Sequence, residues 1–126
     1  MGNTNIIISD ISETEAKTVK KAENILKAMN KAERDLKLAA EKISELESCS
    51  AHNGNLLSDA EKALLSDMLE LLIGCSTTFT TCINFLIKYP DRQAAELEKK
   101  YEDNFATLGQ TLVKVHIIEN RLASAA

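Results

Sequence analysis

The chain has 126 residues, of which 44% are hydrophobic and 27% charged, and a formal net charge of −4. That length suits a single domain, the apolar content argues for a folded rather than a disordered chain, and the charge is too mild to imply a partner by itself. One proline and four glycines leave few breaks, and three phenylalanines with no tryptophan leave the core to Leu, Ile, Ala and Met, as in helix-on-helix packing.

Residues 1–11 carry the apolar run Ile6-Ile7-Ile8 but neither the basic start nor the long apolar core of a signal peptide. Gly2 invites a myristoylation reading, yet Ile6 stands where that motif needs Ser or Thr. We expect a flexible or docking N-terminal tail over residues 1–11 and one helical-bundle domain over 12–126.

The first helix is predicted to open at the capping box Ser12-Glu13-Thr14-Glu15. The serine oxygen would accept from the Glu15 N–H while the Glu15 carboxylate reaches back. Ala22, Ile25, Met29, Ala32, Leu36, Ala39, Ile43 and Leu46 then alternate by threes and fours, which is a coiled-coil seam. On the other side of this helix lies the basic strip Lys17, Lys20, Lys27, Lys31 and Arg34. Aromatic side chains do not interleave it and Glu23, Asp35 and Glu41 interrupt it, so it reads as a solvated face rather than a nucleic-acid surface.

Residues 48–57 hold Ser50, Asn53, Gly54 and Asn55 and read as a loop. Cys49-Ser50-Ala51-His52 has a spacing that metal sites use. In an antiparallel bundle His116 and Glu119 would return towards it and could add ligands. A single C-x-x-H is weak, and the ordinary reading is a loop cysteine with a polar neighbour.

A second capping box, Ser58-Asp59-Ala60-Glu61, starts the second helix. Its stripe is Leu65, Met68, Leu72, Cys75, Phe79, Cys82, Leu86 and Tyr89, flanked by Leu64, Leu69, Leu71, Ile83 and Phe85. The β-branched run Thr77–Thr81 tempts a strand assignment, but the stripe continues through it in register. A break near Gly74 would give four segments instead of three. Pro90 closes this helix and suits the first turn of the third. The third seam runs Ala94, Leu97, Tyr101, Phe105, Leu108, Leu112, Val115, Ile118, Leu122. Short connections make sequential helices antiparallel. The expected fold is therefore all-α, an up-down-up bundle of three long helices.

Chemistry is scarce. Ser/His/Asp groupings, phosphate-cradling glycine loops and inward Glu-x-x-His motifs are all missing. His116 on an exposed helix face could suggest phosphotransfer, but its context, His116-Ile117-Ile118-Glu119-Asn120, is bulky and acidic where small and basic residues are wanted. Cys75 and Cys82 are seven apart on one face, about 10 Å along the axis, too far to pair. With three cysteines in all, a reducing, cytoplasmic setting is expected.

The strongest signal is an absence. Residues 71–87 include no charged side chain, whereas a solvated helix face shows charge about once per turn. The outward positions of that stretch include Ile73, Gly74, Thr77, Thr80, Thr81, Asn84 and Ile87. Self-association through this face is the favoured explanation. A groove for another protein's helix comes next, then cover by the Ile6-Ile7-Ile8 tail. Membrane insertion is disfavoured because seventeen residues fall short of a span and four threonines and Asn84 oppose transfer. The expectation is thus a non-enzymatic interaction module, a small regulator, inhibitor, adaptor or immunity-type protein. Its site would be Ile73, Thr77, Thr80, Thr81, Asn84 and Ile87. The partner would be a second copy (a dimer) or another protein, with no nucleic acid, small-molecule substrate, metal or cofactor. The rival reading is a phosphotransfer or metal module centred on His116, or a membrane-associated helical protein.

Overall fold

A computed structural model describes residues 2–89 and 95–125, the side chains of residues 2–14 excepted. The described chain is three α-helices: α1 Gly2–His52, α2 Asp59–Lys88 and α3 Ala95–Ala125. The Cys75 thiol meets the Ala32 carbonyl and the Glu61 carboxylate meets Cys49, and the Lys100 and Lys114 side chains meet Glu33 and Ser44. These contacts set α2 antiparallel and α3 parallel to α1, the up-down-up order that the seams require. The 51 residues of α1 rise about 75 Å, well beyond either partner. Both partners pack along α1 more closely than they pack on each other.

Two boundaries differ from the sequence reading. The backbone is helical from Gly2, so Ser12 lies ten residues inside α1 and does not cap it. Between Gly2 and Gly54 there is neither proline nor glycine to stop propagation, and a helix once nucleated gains a hydrogen bond with each residue it adds. The side chains of the Ile6-Ile7-Ile8 run lie outside the described residues. At its other end α1 continues to His52, so Cys49 and His52 sit on its last turn and not in a loop. Gly54, at φ +66°, ends the helix. The Asn55 N–H donates to the Ser50 carbonyl and the Asn53 N–H to that of Cys49, a Schellman-type closure that satisfies terminal carbonyls. Leu57, buried, plugs the end of the bundle.

The second capping box forms as expected. The Glu61 N–H donates to Ser58 Oγ at 3.2 Å, and the Ser58 N–H donates to Glu61 Oε1 at 2.8 Å. Helix α2 runs unbroken past Gly74. Pro90 and Ala94 lie outside the described residues.

The core follows the first two seams. Ile25, Met29, Ala32, Leu36, Ala39, Ile43 and Leu46 of α1 are buried against Leu65, Met68, Leu72, Cys75, Phe79 and Cys82 of α2. The third seam is corrected. Leu97, Leu108, Val115 and Ile118 are buried as expected, but Phe105 is 56% and Leu112 42% exposed, while Asn104 and Thr111 turn inward. This rotation of α3 is the one that lets Lys100 and Asn104 reach Glu33, Lys114 reach Ser44, and Arg121 reach Glu47. Its consequence is that α3 carries more apolar width than α1 and α2 can cover.

Candidate functional site: the outer face of helix α2

All six predicted site residues lie on one exposed face of α2. Ile73 and Ile87 are 67% and 70% exposed, and Thr77, Thr80, Thr81 and Asn84 are exposed between them. No described segment of the chain covers them. They arise from a second heptad on the same helix: Glu70, Ile73, Thr77, Thr80, Asn84 and Ile87 step by three and four, rotated away from the buried stripe. A helix with two such seams presents one to its own bundle and keeps one free.

The threonines give this face an unusual surface chemistry. Thr77 Oγ1 donates to the Ile73 carbonyl at 3.1 Å, Thr80 Oγ1 to Ser76 at 2.9 Å, and Thr81 Oγ1 to Thr77 at 3.1 Å. Thr78 does the same with Gly74. Each hydroxyl is thus satisfied by its own helix, a bond β-hydroxyl residues make readily to the carbonyl one turn earlier. Burying the face orphans none of these donors, which removes the usual penalty for desolvating a polar group. Outwardly it offers methyl groups, two isoleucines and the exposed carboxamide of Asn84.

Beside this seam α2 and α3 diverge into an open groove of about 570 Å³, whose walls include Leu69, Ile73, Thr77 and Thr80 from α2 and Leu112 from α3. Phe105, seven residues before Leu112 and therefore on the same side of α3, stacks on Tyr101 with ring centroids 5.6 Å apart. Sequence reasoning missed Phe105, Leu112, Glu70 and Lys88 as members of the site. Phe105 and Leu112 were assigned to the core, although the exposed pair at spacing seven was there to be read. Glu70 and Lys88 bracket the uncharged stretch.

The histidine-centred alternative finds no support in the geometry. Cys49, His52, His116 and Glu119 do not converge, and no group of three potential metal ligands occurs among the described residues. His52 Nδ1 lies 2.7 Å from the Ser48 carbonyl. The His116 side chain, 78% exposed, lies 4.0 Å from the Glu119 carboxylate. Cys49 sits beside the Glu61 carboxylate, whose hydrogen bond and charge push its thiol pKa up and disfavour the thiolate that binds metals. Cys75 and Cys82 are core thiols, both pushed up by burial. Among the described residues no buried side-chain nitrogen or oxygen lacks a partner.

The basic strip of α1 is solvent-exposed throughout. Helix α2 alone among the described helices is long and apolar enough to cross a membrane, though its buried stripe is engaged with α1. Compared with protein families, characterised proteins and solved structures, the chain matches none of them.

Proposed function

We propose that this chain is a non-enzymatic interaction module, a regulator or adaptor that works by packing the outer face of α2 against another helix. One observation carries the reading: an uncharged exposed face in which Ile73 and Ile87 flank Asn84 and threonines whose hydroxyls already bond within the helix. Such a face gains little from water and loses little by leaving it. The open groove between α2 and α3 adds apolar wall for the incoming helix to rest on. Of the possible partners, helical protein fits better than bilayer. A membrane-spanning α2 would have to give up the buried contacts of Leu65, Met68, Leu72, Cys75, Phe79 and Cys82 with its bundle.

The test is the double variant Ile73→Glu/Ile87→Glu. Both positions are exposed in the single chain, so folding stability should change by only about 0.5 kcal/mol, and circular dichroism should stay helical. The variant should lose the self-association of the wild type and the proteins that co-purify with it from its source cell. A variant that folds and keeps the wild-type mass and partners removes the outer face of α2 as an interface. So does a wild-type chain that is monomeric and retrieves nothing.

A further inference from the structure

We infer that the helix received by this face is α2 of a second copy, paired antiparallel about a two-fold axis through Thr80; the inference rests on the reading of the α2 face as a packing surface. A two-fold interface must be self-complementary, each patch meeting its own copy with residues exchanged. The outer seam meets that condition about Thr80. Ile73 and Ile87 each lie seven residues from it, and Thr77 and Asn84 lie three and four away. Antiparallel pairing centred there sets Ile73 against Ile87 of the second copy at both ends and Thr77 against Asn84, with Thr80 facing itself. Like meets like: apolar at the flanks, small and methyl-bearing at the centre, where helices can approach closely.

Two further features fit this register. The exposed Ile87 of each copy projects towards the other copy's groove, where Ile73 and Leu112 are exposed and Leu69 is half-buried. One knob and one hole per chain, swapped by the axis, is the packing that coiled helices use. Charge agrees as well. Glu70 and Lys88 are the charged residues bounding the uncharged stretch, and both are exposed. Glu70 has no ion pair among the described residues, and Lys88 has only its contact over the Tyr89 ring at 5.5 Å. In the antiparallel register Lys88 of one copy arrives beside Glu70 of the other, twice. In a parallel pairing Glu70 would face Glu70 and Lys88 would face Lys88, which is repulsive. Charge therefore selects the antiparallel arrangement.

The experiment is directed disulfide formation in a Cys49→Ser background, where the remaining native thiols, Cys75 and Cys82, are buried. Thr80→Cys should oxidise to a covalent dimer with itself. Ile73→Cys should join Ile87→Cys when the two proteins are mixed, and neither should link to itself. Lys27→Cys, exposed on α1, supplies the background rate. A second arm reverses charges: Glu70→Lys and Lys88→Glu should each weaken the dimer by about threefold to tenfold, and an equimolar mixture should recover wild-type affinity because both cross-pairs become opposite in sign. Ile73→Cys linking to itself overturns the antiparallel register. Cross-linking no faster than Lys27→Cys, together with a monomeric mass, overturns the second copy as the occupant. That result leaves the packing surface itself to be judged separately by the partners retained or lost in the Ile73→Glu/Ile87→Glu variant.

Discussion

Glu33 illustrates what single residues hide. By pattern it belongs to a solvated helix face, yet its carboxylate accepts from Asn104 Nδ2 at 3.0 Å and from Lys100 Nζ at 3.3 Å, across some seventy residues of sequence. The Asn104 hydrogen bond, with help from Lys100 and against some desolvation, holds its pKa below the ordinary 4.5. A depressed folded value means that the interaction stabilises fully above the unfolded pKa and is lost as pH falls through the folded one. The Glu33 side chain is 45% exposed, so solvent screening limits the effect. We predict that Glu33→Gln costs at most about 1 kcal/mol at neutral pH. Urea unfolding of both proteins should show the difference closing as the pH drops below 4.5, and a difference that grows in acid would contradict the assignment. None of this was legible beforehand, because the bond depends on how far α3 rotates about its own axis.

The two capping boxes separate what an element's sequence can and cannot announce. Ser12-Glu13-Thr14-Glu15 and Ser58-Asp59-Ala60-Glu61 look equivalent, and only the second caps a helix. The difference lies upstream. Gly54 and Asn55, both at positive φ, force the chain out of helix before Ser58, whereas nothing between Gly2 and Ser12 does so. Ser58→Ala should therefore cost about 1 kcal/mol of stability, while Ser12→Ala should cost nothing measurable, alanine being the better residue inside a helix. Thermal unfolding of the two variants checks this, and equal losses would restore Ser12 as a true cap. The same lesson applies to α3. Its apolar residues admit two overlapping stripes, and period alone does not choose between the one with Phe105 and Leu112 and the one with Asn104 and Thr111. Polar ties to α1 make the choice, and those are tertiary facts. The seam of α1, by contrast, is readable almost residue by residue, and that of α2 as far as Cys82; beyond it Phe85, expected as a flank, is buried and Leu86 is half-buried.

At the scale of the molecule, the architecture follows from three seams and short turns. The uncharged outer face of α2 was also visible in the sequence, as residues 71–87 without a charge. Its cover was not, since hydrophobic pattern marks a surface for burial without stating whose atoms will bury it. Nothing among the described residues lies over it. The open groove at Leu112 emerges only once α2 and α3 are set side by side. The most direct measurement is the alkylation rate of a thiol placed at the centre of that face, Thr80→Cys in the Cys49→Ser background, compared between dilute purified protein and concentrated protein or source-cell extract. A thiol shielded by a packed helix should react at least about tenfold more slowly in the concentrated samples, by mass action on the covered form. Equal rates under all three conditions would mean that the face stays open to water, and would contradict its role as an interface.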